Sequence, residues 1–316
     1  MSQAGSQQRS QKAALPAAWH TLRYGLAGLW LVDGLLQLQP GMFTMDMISN
    51  IMQPSATGQP GWLHGLIEWS IQLVTPHLIA FNWTVVALQL AIGLMLLLPW
   101  RGVRSAGLWL SVVWSALVWL FGEGLGQLLT GSATFLTGAP GSVLFYGIAS
   151  GLLLWRQGWV GDGKLPAARA AIWVVALSLV LAAALQLAPL FWTSLGLGAP
   201  IAAGAAMAQP EWLRATIDLV DLWATQAPVI VNLILIAVSL GLGVALALSA
   251  GNRWLLAAAV GWLLVVWWVG QDVGALFSGM ATDPNSAPVL VLLLIACWRA
   301  GTAPVGISKS RPPARS

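Results

Sequence analysis

Residues 59–98 and 209–248 align without a gap at an offset of 150, so the chain carries one stretch of pattern twice. Within the block Gln59 and Gln209, Pro60 and Pro210, Trp62 and Trp212, Asn82 and Asn232, and Gly93 and Gly243 coincide, while Glu68 meets Asp218 as one carboxylate for another. Before it Gln37, Leu38 and Pro40 match Gln186, Leu187 and Pro189; after it Trp114, Gly122, Gly126 and Gly131 match Trp262, Gly270, Gly274 and Gly279. A match at one fixed period reads as duplication of a structural unit.

That unit belongs in a bilayer. Hydrophobic residues make up 58% of the chain and charged residues 8%, against about a quarter charged in a soluble domain, so most of the chain cannot face water. The net charge of +4 is dispersed rather than gathered into a basic stripe, which excludes nucleic acid as a partner and leaves the lipid bilayer. Cys297 is the single cysteine, so no internal disulfide can form. The polar first eighteen residues lead into an apolar run from Trp19, a pattern that fits a retained first helix better than a cleaved signal peptide.

A transmembrane helix needs about 20 apolar residues. Eight runs meet or approach that length: 19–39, 77–98, 104–122, 140–156, 169–190, 228–249, 253–271 and 288–300. The sequence thus predicts an all-α, polytopic membrane protein with eight transmembrane helices arranged as two parallel four-helix repeats, since an even number of spans per copy leaves both copies in one orientation. The expected divisions are an N-terminal tail (1–18), a first repeat (19–156), a linker (157–168), a second repeat (169–300) and a C-terminal tail (301–316). Thirteen of the 14 basic residues fall on one side of this arrangement, Arg214 being the exception. By the positive-inside rule the tails and linker are then cytoplasmic, in a multi-pass protein of the inner (cytoplasmic) membrane. The long segments 40–76 and 190–227 fall outside, each with a QPxW start and a weakly amphipathic stretch suited to capping a bundle.

Ionisable groups inside a bilayer are costly and usually face a bundle interior or a cavity. Asp33 and Gln37 lie four apart on one helix face. Glu123 ends the third run, and its match, Gln271, is followed by Asp272. Asn82 and Asn232 occupy outer halves of their spans, and Glu68 and Asp218 the capping segments. These placements predict an outward-facing, ligand-binding polar pocket in each repeat: Asp33, Gln37, Glu68, Asn82 and Glu123 in the first; Gln186, Asp218, Asn232, Gln271 and Asp272 in the second. The same residues equally suit hydrogen bonds that join helices. Ala182 stands at the position matching Asp33, so any chemistry would be asymmetric. Among the tryptophans, those near span ends fit an aromatic belt, whereas Trp114, Trp119, Trp262, Trp267 and Trp268 lie deeper and are candidate pocket walls.

Met42, Met45, Met47 and Met52 crowd into eleven residues, with His64 nearby. Thioethers and imidazole are ligands suited to Cu(I); the same methionines also suit an irregular apolar interface. No HExxH, CxxC, GxSxG, GxGxxG or Walker signature occurs.

One further set of residues carries a family resemblance: Arg23 with Gly25 opening a span, Asp33-Gly34 followed by Gln37, then Pro76 leading into QLAIGLMLLLPWRGVRS at residues 89–105. With these, each copy, and the first especially, resembles the DoxX/DoxD-like group of small four-helix membrane proteins. The likeness covers residues 20–156 and more faintly 169–299. Gln89 stands where an acidic residue is more familiar, and Gln37 where a basic one is. The resemblance implies a place for quinone and for a redox partner protein, since some members look like quinone-linked sulfur-oxidation subunits. Three functional readings stay open: an accessory or small-ligand-binding membrane protein, a quinone-linked oxidoreductase subunit whose partner supplies the redox centre, and an outer-side copper binder or transporter. The sequence leaves open whether the protein is an enzyme.

Overall fold

The computed structural model describes residues 15–160, 165–207, 210–249 and 251–301. Most of both expected tails, the centre of the expected linker (161–164) and Gln209 lie outside the described residues. Every described element is helical. The first half runs α1 (Ala17–Leu36), a tight turn at Pro40–Phe43, the short segments α2 (Met45–Met47) and α3 (Gln53–Ala56), then α4 (Gly61–Val74), α5 (Leu78–Leu97), α6 (Arg101–Phe121) and α7 (Ser142–Leu154). The second half runs α8 (Pro166–Leu185), α9 (Ser194–Met207), α10 (Glu211–Gln226), α11 (Pro228–Leu248), α12 (Arg253–Val269) and α13 (Ser286–Gly301).

The expectation of eight transmembrane helices is overturned. Among the described residues four helices are long and apolar enough to cross a membrane: Gly61–Leu97, Arg101–Phe121, Pro166–Leu185 and Pro228–Leu248. Ser142–Leu154, Ser194–Met207, Arg253–Val269 and Ser286–Ala300 are shorter apolar helices. At about 1.5 Å per residue, a helix of that kind falls short of the roughly 30 Å hydrocarbon layer. Helix α1 is 20 residues long but carries His20, Arg23 and Asp33 and is not among the four. Several of the eight runs only approach span length: 140–156, 253–271 and 288–300 fold as helices of 13, 17 and 16 residues. The protein is a polytopic, all-helical, multi-pass membrane protein with four such helices among its described residues, and the arrangement of two parallel four-span repeats does not stand.

Small residues set the tightest helix pairs. Helix α1 packs on α5, and α8 on α11. A Cβ on Gly93 would sit 2.7 Å from Leu31 and 3.0 Å from the Ala27 carbonyl. One on Gly243 would sit 2.8 Å from the Ala176 carbonyl and 2.9 Å from Val180. Close backbone approach through small residues is how apolar helices associate where lipid removes the hydrophobic drive. Helix α13 packs against both α1 and α8, tying the halves together.

The connecting loops cross between halves. From the second half, Gln271 Nε2 donates to the Phe135 carbonyl at 3.1 Å and Gln186 Nε2 to Thr134 Oγ1 at 2.7 Å. Both partners sit in the α6–α7 loop. That loop and its α12–α13 counterpart turn on glycines at positive φ: Gly126 (63°) lies against the Pro140 carbonyl, and Gly274 (73°) against that of Pro284. A side chain at either place would meet both an unfavourable backbone conformation and a carbonyl.

Candidate functional site

An amphipathic cavity of about 310 Å³ opens in the first half, among α1, α4, α5, α6 and the start of α7. Its wall is mostly apolar, with Trp69, Phe81, Trp114 and Phe121 supplying aromatic surface. Polar groups enter from Asp33, Gln37, Gln89 and Glu123, and Thr282 and Asp283 arrive from the α12–α13 loop. A second, more polar cavity of about 380 Å³ shares Glu123 and Asp283 with the first and continues past Ser55, Gln127, Ser142 and Gln271. Among the described residues, neither cavity is lined by Lys, Arg or His.

The polar groups are held from different elements. Asp33 and Gln37 project from the last turns of α1, one turn apart. Asp33 Oδ1 accepts the Tyr146 hydroxyl of α7 at 3.3 Å, and its Oδ2 has no partner. Asn82 Nδ2 donates to the Gln37 carbonyl at 2.9 Å, fixing the end of α1 against α5. The Gln37 and Gln89 side-chain oxygens and Trp114 Nε1 are buried without partners. Asp33, Gln37 and Gln89 are 1%, 4% and 5% exposed, and buried polar groups are normally hydrogen-bonded.

Glu123 caps a helix from a distance. Gly141, which precedes α7, has no side chain to offer. Glu123 Oε1 instead accepts from Ser142 N at 3.0 Å, Ser142 Oγ at 2.8 Å and Val143 N at 3.3 Å, satisfying donors that a helix start leaves open. Gln271 does the same for α13: Oε1 accepts from Ala287 N at 3.1 Å, and Nε2 donates to Ser286 Oγ at 2.9 Å. Burial, and then the neighbouring Asp283, push the Glu123 carboxyl up to about 8, against the hydrogen bonds from Ser142 and Val143. Its Oε2 has no partner.

Of the residues expected in the first pocket, Asp33, Gln37 and Glu123 line the cavity. Asn82 supports it from behind, and Glu68 is half-buried on α4 and outside the lining. The second-half residues are dispersed. Asn232 Nδ2 donates to the Gln186 carbonyl at 3.0 Å, as Asn82 does to Gln37. Gln271 lines the polar cavity. Asp272 is buried, and burial pushes its carboxyl up to about 6. Asp218 is exposed on α10 and pairs with Arg214 at 3.8 Å. Trp114 is a cavity wall as expected, while Trp119 and Trp267 hold loops by donating to the Pro140 and Pro284 carbonyls, both at 2.7 Å. Tyr146 and Asp283 were not singled out from the sequence, and Gln89 entered only through the family resemblance, not as a pocket residue. Gln89, a lone amide inside the α5 apolar run, carried the clearest signal.

In the methionine cluster, Met42, Met47 and Met52 are buried in an apolar cluster with Ile48, Leu63 and Ile67, while Met45 is exposed. His64 Nδ1 lies 3.0 Å from the Ala56 carbonyl. Among the described residues no group of three or more His, Cys, Asp or Glu side chains could hold a metal ion.

No protein-family model matches the chain. No curated protein and no solved structure matches it either.

Proposed function

We propose that the protein binds a small, largely apolar molecule with a hydrogen-bonding head in the cavity of its first half. The observation that carries this reading is the set of buried, unpartnered polar atoms on Asp33, Gln37, Gln89 and Trp114 at one apolar chamber. Each such atom costs about 1 to 3 kcal/mol when left unsatisfied, so a ligand head that bonds to them offsets that cost. Apolar lining with a few convergent polar groups is the usual make-up of a small-molecule site. The test is gentle purification into native-lipid particles, followed by mass spectrometry of bound small molecules. A stoichiometric amphipathic molecule supports the reading, and recovery of bulk phospholipid alone counts against it.

A quinone is one molecule of this shape, and the aromatic wall together with the Trp114 N–H supports it as a second reading. The resemblance to DoxX/DoxD-like proteins points the same way, with a partner protein supplying the redox centre. The paired contacts Asn82 to Gln37 and Asn232 to Gln186 support descent of the two halves from one duplicated unit. The arginines that start α6 and follow α7 support an inner-membrane orientation with that end in the cytoplasm. A cysteine at exposed Gln157, in a Cys297→Ser background, should react with an impermeant reagent in inverted vesicles and not in whole cells.

A further inference from the structure

At the end of the first half away from the cavity, α1, α6 and α7 bring three guanidinium groups onto one indole. Trp19 is buried, and its Nε1 donates to the Leu153 carbonyl at the end of α7 at 3.1 Å. The guanidinium carbons of Arg23, Arg104 and Arg156 lie 5.3, 5.7 and 5.4 Å from its ring centroid. Arg23 also lies 4.1 Å from the Tyr24 ring. Among the described residues none of the three forms an ion pair with a carboxylate.

This arrangement is incomplete as it stands. Arginine stays charged in proteins and offers five N–H donors. Arg23 is 3% exposed, yet its Nε and Nη1 are buried without acceptors. Arg104 gives Nη1 to the Pro99 carbonyl at 2.9 Å, while its Nε is likewise unsatisfied. Contact with an aromatic face offsets part of one cation's desolvation, but it supplies no hydrogen-bond acceptor and does not relieve repulsion among three like charges. These donors suit an anion with several acceptor oxygens, and a phosphate fits guanidinium donors in that way. Position selects its source. Arg23 lies in the second turn of α1, Arg104 in the first turn of α6 and Arg156 just past α7. Ends of apolar helices lined with Trp and Tyr lie at headgroup depth in a bilayer, and basic pockets between helices on the cytoplasmic side take lipid headgroups.

We propose that Arg23, Arg104 and Arg156 form a binding site for the phosphate of an anionic phospholipid. The site is independent of the cavity and of what the cavity binds.

The experiment compares melting temperatures of the full-length protein in neutral detergent after adding phosphatidylglycerol, phosphatidylcholine or sodium phosphate. A ligand that binds only the folded state raises the transition. Phosphatidylglycerol should raise it by about 3 to 6 °C more than phosphatidylcholine does. The R104Q/R156Q double variant, whose two side chains are partly exposed, should lose at least half of that difference, and R253Q, at the exposed first residue of α12, should keep it. Equal shifts from the two lipids in the wild-type protein, a measurement that needs no variant, would overturn the proposal. So would a full phosphatidylglycerol effect in R104Q/R156Q. A shift from sodium phosphate as large as that from phosphatidylglycerol would overturn the lipid as the source.

Discussion

Trp262 donates its indole N–H to Ser239 Oγ at 3.1 Å, closing α12 onto α11. At the matching positions of the first half stand Trp114 and Gln89, and there the indole N–H and the amide oxygen are both buried without partners at the cavity wall. The Gln37 and Gln186 pair is less sharply divided: Gln186 Nε2 reaches Thr134 in the crossing loop, but its side-chain oxygen, like that of Gln37, is buried without a partner. At the Trp114 and Gln89 positions the first half therefore keeps open, at a cavity wall, polar groups that the second half closes with a hydrogen bond.

Replacing Gln89 with the serine of the second half should move the first half toward the closed arrangement. Q89S removes one unsatisfied amide and lets Trp114 find an acceptor, so the melting temperature should hold or rise. Affinity for the bound molecule should fall about five- to tenfold, the equivalent of roughly 1 kcal/mol for one lost hydrogen bond. Unchanged affinity in a titration would remove Gln89 from the site.

Glu123 has a structural duty that can be measured apart from binding. E123A should destabilise the fold by about 1 to 2 kcal/mol, the usual cost of a lost helix cap, while E123Q, which copies Gln271, should keep most of the stability. The pH dependence has a definite sign. Between the ordinary carboxyl value of 4.5 and about 8, the folded protein holds a proton that the unfolded chain releases, so rising pH favours unfolding. This contribution is complete below 4.5 and lost as pH passes 8. Melting curves from pH 5 to 9 should therefore slope downward in the wild-type protein, with a smaller slope in E123Q.

Gly93 and Gly243 should both refuse a branched side chain. G93V places methyl groups where Leu31 and the Ala27 carbonyl already stand, a strain of about 1 to 3 kcal/mol. G243V meets the Ala176 carbonyl and Val180 in the same way. G261V is the control, since nothing lies within 4 Å of a Cβ there, and its melting temperature should match that of the wild-type protein.

The sequence made parts of this site legible and hid others for physical reasons. Asp33, Gln37 and Glu123 stood out because a polar group amid apolar residues has few uses, and all three line the cavity. Asn82 and Asn232 stood out by the same logic, yet they hold backbone carbonyls beside or beyond the chamber. Asp218 shows the converse: matched in sequence to Glu68, it sits on an exposed face beside Arg214. Asp283 was invisible because the loop that carries it crosses to the other half, and local periodicity holds no record of such a crossing. The eight apolar runs misled because several only approach span length: those at 140–156, 253–271 and 288–300 form helices of 13, 17 and 16 residues, and hydropathy marks that a segment is apolar more surely than where its helix ends.

If the first-half cavity is a binding site completed by a ligand, bound small molecules should differ between wild-type and Asp33→Asn protein purified side by side. Asp33 has no counterpart charge in the second half, where Ala182 stands. Wild-type protein should carry about one equivalent of an amphipathic molecule, and D33N, folded by the same melting criterion, should carry a small fraction of that. Equal occupancy in both proteins, or no bound molecule in the wild-type protein, would contradict the account.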